Sequence, residues 1–565
     1  MADHYDQKPW LKFYDKHVPA NLQYPDKPYP EIAQEVLNKF PNRAALHYIG
    51  HTFTFKQLDD MSCRFANYLV NNGVNKGDIV GVNLPNLPAY YISVLGIQKA
   101  GCVLSGVSPL LTAEELKHQL KDSGTRVLVT LDVLISNWKV AVPGTNVKDV
   151  IVTRIADYLP PIMATLGKAL KKIPFARIEP VGGANVLLFK DVMKKWPADK
   201  CSVKVGMDDI CVMQYTGGTT GLPKGAELTQ RNVVALVTQM NTWFDNGYGI
   251  DVAMSAFPLF HGAGLATGMS LLAAGCTQIA VPNPRDQKFL MATFKKYKPN
   301  IIANVPTVYL ELMKMPEFRA LDFSKVKYFS SGGAPYPPEY IKEFEKVVGG
   351  SKLVEIYGLT ETGPITMPPR YGKKKPDSCG LPFPDTEVKI VDTATGEVLP
   401  FNEPGELKVR GPQVSTRGYF KKPDETANAL RNGWFHTGDI ARMDEDGFVT
   451  IVDRLKDMVN VSGYKVFTRE LDDVIMEHPD VFMGASVGIP NPDRPGTEMV
   501  ATAIMLNPCI EKSEAQKTKI IEYLKGRVAP YKVPKKLVFM DELPLSAVGK
   551  VLKRELRTVM TQKPK

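Results

Sequence analysis

Between Asp209 and Gly358 the chain alternates short apolar runs, rich in β-branched residues, with stretches of helical periodicity. DICVMQY reads as a strand. After a glycine loop, Val233, Val234, Leu236, Val237 and Met240 recur at three-to-four spacing in a helix that starts near Thr229. TQIAV (277–281), NIIAN (300–304), VKYFS (326–330) and KLVEIY (352–357) read as further strands with helices between them. This alternation predicts βαβ units around a mostly parallel sheet. Ligands of such sheets bind beyond the carboxyl ends of the strands, where loops and helix N-termini converge. Glycine and hydroxyl clusters at 216–225, 331–334 and 358–362 fall at those ends.

The pattern changes at 385–455, where KIVD, ELKVRG and FVTIVD between Gly and Pro turns predict a small β subdomain. After Arg454 it changes again, to a basic stretch with helices near 468–477 and 515–528. The expected class is α/β. A large N-terminal domain (1–455) holds mostly parallel sheets and the β subdomain, and a small α+β domain (456–565) follows a boundary at Lys456.

Composition narrows the function classes. At 565 residues, 44% hydrophobic and 23% charged, the chain has the make-up of a folded multidomain protein. The Met-Ala-Asp-His start lacks the basic and apolar regions of a secretory signal, which predicts a cytoplasmic protein. The uncharged run from Pro258 to Pro284 has the length of a membrane span. Its Gly, Ser, Thr and Gln content and its His261 predict a buried helix followed by a strand instead. Seven scattered cysteines without a CxxC pair read as reduced core thiols. The net charge of +10 is unevenly spread: +1 over 1–153, +5 over 154–200, 0 over 201–455 and +4 over 456–565. A long neutral body argues against a nucleic-acid partner, which requires a continuous basic stripe.

The most informative stretch is Tyr215-Thr-Gly-Gly-Thr-Thr-Gly-Leu-Pro-Lys-Gly225. Glycines let backbone N–H groups approach an anion closely, threonine hydroxyls add donors, and Lys224 adds positive charge, so the loop suits a polyphosphate. It is not a Walker A loop, because Lys224 is preceded by Pro223 and followed by Gly225.

Together with YGLTET (357–362), GWFHTGD (433–439), DRLKD (453–457) and LPLSAVGK (543–550), this loop resembles the adenylate-forming superfamily of acyl-CoA synthetases, luciferases and peptide-synthetase adenylation domains. The likeness runs from about residue 8 to 557 in order and spacing. WLKFY, NPRD (283–286), VRGPQ (409–413) and YKVPK (531–535) make it most similar to bacterial long-chain fatty acid–CoA ligases. Such enzymes form an acyl-adenylate from a carboxylate and ATP, then pass the acyl group to coenzyme A. The first step brings two anions together, so the site must supply positive charge and fixed donors.

The resemblance assigns roles by position. Lys550 would bridge the acyl carboxylate and the ATP phosphate; Lys553 is read as a solvated surface charge. Thr216, Gly217, Gly218, Thr219, Thr220 and Lys224 would wrap the phosphates, Thr216 with a catalytic share. Glu361 is implied as the Mg²⁺ ligand, with Thr360 donating to the α-phosphate and Gly358 in the same turn. Tyr357 would face the adenine, with Gly332, Gly333 and Ala334 as the opposite wall. Asp439 would accept from the ribose hydroxyls and Arg454 would donate to the same sugar. His261 matches a position beside the acyl carboxylate.

For the second step, rotation about Lys456 would bring the Val461 to Lys465 stretch to the site, with Ser462, Gly463 and Tyr464 against coenzyme A. The acyl chain is expected beside the small residues after His261 and beside Asn304-Val-Pro-Thr307. Leu265 stands where some long-chain relatives have a gating tryptophan, and alicyclic or aromatic acids stay open alongside fatty acids. A carrier-protein or oxygenase variant of the same adenylate chemistry, and a non-catalytic binding homologue, are the competing readings; a monomer and a homodimer are equally compatible.

The basic insertion 154–200 contains Leu159 to Ile173, with Ile162, Met163, Leu166, Ala169, Leu170 and Ile173 on one helical face and Lys168, Lys171 and Lys172 opposite. Two readings stay open for it: peripheral contact with an anionic membrane, or a surface helix packed on the protein's own core.

Overall fold

The computed structural model describes residues 4–561, apart from 171–172, 202, 217–222, 335, 337, 462–463, 493, 495–496 and 547–548. Among the described residues, the strands of the N-terminal part form two large sheets built on parallel pairs. One has seven strands, in the order Asn185–Leu188, Asp149–Thr153, Val127–Leu131, Ile79–Asn83, Val103–Gly106, Ile210–Thr216 and Lys224–Thr229. Its pairs are parallel except the last, where Thr216 faces Lys224 in an antiparallel return. The other has nine strands. Its parallel centre includes Val252–Ser255, Ile301–Asn304, Tyr328–Gly332 and Leu353–Leu359, and antiparallel hairpins close both edges.

Local sequence explains the elements around the site. Thr229 caps the helix Gln230–Phe244: its hydroxyl accepts from the Asn232 N–H, and the Asn232 side chain accepts from the Thr229 N–H. The helix then buries Val233, Val234, Leu236, Val237 and Met240 in the core between the sheets. The uncharged run folds as the helix Gly262–Ala273 and the strand Thr277–Ala280, as its composition predicts. Gly264 is obligatory there, since a Cβ would lie 2.0 Å from the Pro258 carbonyl oxygen.

The strands Glu387–Val391, Gly405–Arg410, Trp434–Met443 and Val449–Arg454 form the small antiparallel β layer. Beyond it a separate C-terminal domain has its own sheets: the pair Val459–Val461 and Tyr464–Val466, and the set Val481–Pro490, Glu498–Leu506 and Lys536–Phe539. The helices Thr468–Met476, Glu514–Lys525 and Lys553–Thr561 accompany them.

Three expectations need correction. The amphipathic helix spans Pro161–Ala169 rather than 159–173, because Pro161 favours a first turn and Pro174 disfavours helix in the residue before it. Its apolar side faces outward: Ile162 is 75% exposed, Leu166 56% and Leu170 62%. Lys171 and Lys172 and the side chain of Lys168 lie outside the described residues. The cysteines are all free, but only five are buried; Cys201 is half-buried and Cys509 is exposed. Lys553 is no solvated charge. Its side chain is 16% exposed, and its ammonium donates to Asp472 Oδ2 at 2.9 Å and to Thr468 Oγ1 at 2.6 Å, at the foot of the last helix. Although burial works against it, Asp472 and then Asp453 hold that ammonium charged.

Candidate active site

The described motif residues meet between the sheets, the β layer and the C-terminal domain. The strand Ile210–Thr216 carries Thr216 to its carboxyl end and Lys224 opens the returning strand. Gly217, Gly218, Thr219 and Thr220, between them, lie outside the described residues. Lys224 Nζ sits 4.8 Å from the ring centre of Tyr419, whose hydroxyl donates to Glu361 Oε1 at 2.6 Å. Glu361 is 8% exposed, and its carbonyl accepts from the Ser415 N–H at 2.8 Å. Tyr419 thus ties Lys224 to the Glu361 carboxylate, a link the motif reading misses because Tyr419 follows Glu361 by 58 positions.

A second cluster forms around Asp439, which is 2% exposed. Tyr357 donates its hydroxyl to Asp439 Oδ2 at 2.6 Å, and Arg454 Nε lies 3.0 Å from Oδ1. Adjacent antiparallel strands place Asp439 opposite Arg454 in register. Burial, then the Asp439 charge, pushes the Tyr357 phenol well above its ordinary value. For Arg454, burial is opposed by Asp439, Tyr357, Asp457 and Glu361, which keep the guanidinium charged. Gly332 ends the strand Tyr328–Gly332 in register with Ile356, and Gly333 follows at φ 82° with Ala334 beside it. Gly358 is exposed, and a Cβ there would meet the Gly363 carbonyl oxygen at 2.2 Å. A Cβ on Gly262 would sit 3.6 Å from Thr360 Oγ1, so Thr360 stands beside the start of the helix that His261 caps.

The C-terminal domain contributes Lys550 on a turn in which Ser546 N–H donates to the Lys550 carbonyl at 2.7 Å and Lys550 N–H to Ser546 Oγ at 3.1 Å. Gly549 takes φ 74°, and a side chain there would strike Thr307 Oγ1 at 2.6 Å, so glycine lets this turn dock on the large domain. Burial and the neighbouring Arg454 lower the Lys550 pKa to about 8, against the pull of Asp439 and Asp457. Burial, then Lys550, lowers the His261 pKa to about 4, so the imidazole is neutral at pH 7. Its Nδ1 accepts from the Ala263 N–H at 3.3 Å. Lys456 is lowered as well, by burial and then by Arg454 and Lys224.

Lys224, Arg454, Lys456 and Lys550 therefore share one field with Asp439, Asp457 and Glu361. This is a cationic cradle with acceptors at its edges, suited to a polyanion. Tyr464 is 60% exposed and stacks on Tyr531 at 4.7 Å, while Ser462 and Gly463 lie outside the described residues. Among the described residues no group of three or more His, Cys, Asp or Glu gathers as a metal cage. Glu361 alone fits a cation whose other ligands are phosphate oxygens and water.

The AMP-binding enzyme family matches residues 33–420, and the AMP-binding enzyme C-terminal domain matches residues 470–550. The chain belongs to the AMP-binding enzymes. Within them it groups with the acyl–CoA ligases, which use ATP and coenzyme A. It is 37% identical over 97% of its length to the long-chain-fatty-acid–CoA ligase of Bacillus subtilis (strain 168), and covers 98% of that relative. The namesake of Escherichia coli O157:H7 is 36% identical, with 98% of both chains aligned. Among solved structures, the anthranilate CoA ligase AuaEII in complex with anthranoyl-AMP superposes with a TM-score of 0.81 at 25% identity, over 96% of this chain and 99% of that one. ATP-bound MatB from Rhodopseudomonas palustris gives 0.78 at 26%, over 94% and 98%.

Proposed function

We propose that this AMP-binding enzyme converts a fatty acid, or an alicyclic or aromatic acid of similar size, to its CoA thioester through an acyl-adenylate. The meeting of Lys550 with the cradle of Lys224, Arg454 and Asp439 carries this reading. It would set a lysine of the C-terminal domain where a carboxylate and an α-phosphate approach. Thr216, Thr360 and the glycines at 217–218 would hold the phosphates, and Tyr357 with Gly332, Gly333 and Ala334 would enclose the base. Asp439, fixed by Tyr357 and Arg454, would accept from the ribose diol. Glu361, oriented by Tyr419, would be the single protein ligand of Mg²⁺, an ion that offsets phosphate charge when bound. His261, neutral and fixed at a helix start, would position the acid. Ser462, Gly463 and Tyr464 would guide coenzyme A after rotation about Lys456.

The apolar tail would enter beside the helix Gly262–Ala273. Leu265, Gly268 and Met269, in the helix that follows His261, and Leu259 just before it border an apolar cavity of about 20 Å³. That is room for about one water-sized group. A panel from acetate to oleate, with benzoate and cyclohexanecarboxylate, assayed with ATP and CoA for acyl-CoA and AMP, tests the function. Absence of product from every acid would refute it.

The Lys550 ammonium is charged below about pH 8 and neutral above it. If its charge stabilises adenylation, kcat/KM for pyrophosphate exchange should fall as pH rises through that value. The kcat profile should break at higher pH, since bound polyphosphate favours the charged form. A flat kcat/KM profile from pH 7 to 10 would count against the role.

The outward apolar side of Pro161–Ala169, continued by Leu170 and by Phe175 at 57% exposure, favours the insertion as a peripheral membrane contact. Its surplus of +5 suits anionic lipid. The expected result is co-flotation with phosphatidylglycerol vesicles, weakened by salt and abolished by Ile162→Ser/Leu166→Ser; no flotation at low salt would exclude it. Among the described residues, no helix is long and apolar enough to cross a membrane.

A further inference from the structure

Tyr419 stands outside every motif that points to the site, yet its side chain joins two of them. The stretch 415–420 that carries it is bonded to both neighbours. Glu227 N–H donates to the Gly418 carbonyl at 3.0 Å and Phe420 N–H to the Gly225 carbonyl at 2.8 Å, which fastens the stretch along the strand Lys224–Thr229. Ser415 N–H donates to the Glu361 carbonyl at 2.8 Å, and Ser415 Oγ to the Glu227 carbonyl at 2.6 Å. Tyr419 N–H donates to Thr426 Oγ1 at 2.9 Å. Gly418 before it takes φ 72°, and a Cβ there would strike Thr426 Cγ2 at 2.3 Å. The backbone of Tyr419 is therefore fixed on both sides, and its ring starts from a fixed point.

The two parts of that side chain do different things. The hydroxyl donates to Glu361 Oε1 at 2.6 Å, while the ring centre lies 4.8 Å from Lys224 Nζ. A carboxylate bonded in this way keeps Oε2 and its remaining lone pairs for a cation. An ammonium over an aromatic face is attracted without being neutralised. Without the ring, the half-buried Lys224 and the buried Glu361 would be left to pair with each other. Such a pair would take up both the acceptor that a cation needs and the charge that a phosphate needs. Burial, then the Glu361 charge, raises the Tyr419 phenol pKa, so its hydroxyl stays a donor.

Resting on the ligase reading above, we propose that Tyr419 is a positioning residue that keeps Lys224 and Glu361 apart and aims both at one ligand, the magnesium complex of the nucleotide. Its hydroxyl orients the carboxylate for the cation, and its ring face holds the lysine for the phosphates. Loss of the hydroxyl and loss of the ring therefore have separable effects.

The test is calorimetric titration of ATP into the full-length protein, at zero and at saturating free Mg²⁺, which reads binding without turnover. Tyr419→Phe keeps the ring, so its Mg²⁺-free affinity for ATP should match that of the wild type. Its gain in affinity on adding Mg²⁺ should shrink about tenfold, the scale of losing an outer hydrogen bond to a metal ligand. Tyr419→Leu should show the same smaller gain and also bind Mg²⁺-free ATP roughly threefold more weakly. An undiminished gain in Tyr419→Phe would overturn the proposal and leave the ligase reading intact. So would equal losses with and without Mg²⁺ in both variants, which would make the tyrosine merely structural. A wild-type protein that gains nothing from Mg²⁺ would remove the proposal together with the metal role of Glu361. If the wild type binds no ATP at all, the ligase reading falls with it.

Discussion

Lys550→Ala should slow acyl-adenylate formation by about two to three orders of magnitude, the usual worth of one electrostatic stabiliser, while transfer from preformed adenylate to coenzyme A is largely kept. The asymmetry follows from where the charge sits. Lys550 lies on a turn of the C-terminal domain that touches the large domain through Gly549 and Thr307 and lies within the field of Arg454 and Asp439. In this arrangement its half-buried ammonium acts on His261, where on the proposed reading the carboxylate oxygen and the α-phosphate would meet. Removing it leaves those anions facing each other without their nearest cation. Coenzyme A is itself a bulky anion, and on the proposed reading it would need the space this turn occupies, so the second step would run with Lys550 withdrawn. Equal loss in both half-reactions would contradict that division, and single-turnover assays of each step would reveal it.

Lys456→Pro should do the reverse, sparing adenylation and lowering thioester formation by about two orders of magnitude, the scale of effect when reacting groups are misplaced. Proline fixes φ near −65° and restricts the residue before it, so it freezes a pivot in whichever state it tolerates. On the proposed reading the contacts around Lys456 are those of the adenylation arrangement. Leu455 N–H donates to the Gly438 carbonyl at 2.9 Å, Asp457 N–H to the Arg454 carbonyl at 3.0 Å, and Asp453 accepts from the Thr468 N–H and hydroxyl. A domain that turns about this point must break or carry those bonds. Normal overall turnover in Lys456→Pro would remove the hinge from Lys456.

What the sequence disclosed depended on whether the signal was local. Strands at 210–216, 277–280, 301–304 and 353–359 follow apolar runs bounded by turn residues, and the Thr229 cap is legible because its partner Asn232 is three residues away. The first strands of the seven-stranded sheet, IVGVN at 79–83 and VLVTL at 127–131, are buried at every position, so they carry no alternation to distinguish strand from buried helix. Lys553 differs from its sequence expectation for a related reason. Its partners, Asp472 and Thr468, lie 81 and 85 positions away, and a lysine near a chain end looks solvated until the fold supplies the carboxylates. The same holds for Tyr419 with Glu361.

The central claim is that a carboxylate and ATP react at this site before coenzyme A is needed. Carboxylate-dependent exchange of labelled pyrophosphate into ATP, measured without coenzyme A, tests it most directly. Exchange with at least one acid, lost in Lys550→Ala, is the predicted result. Thioester formation from ATP and CoA with no exchange in the absence of CoA would contradict it.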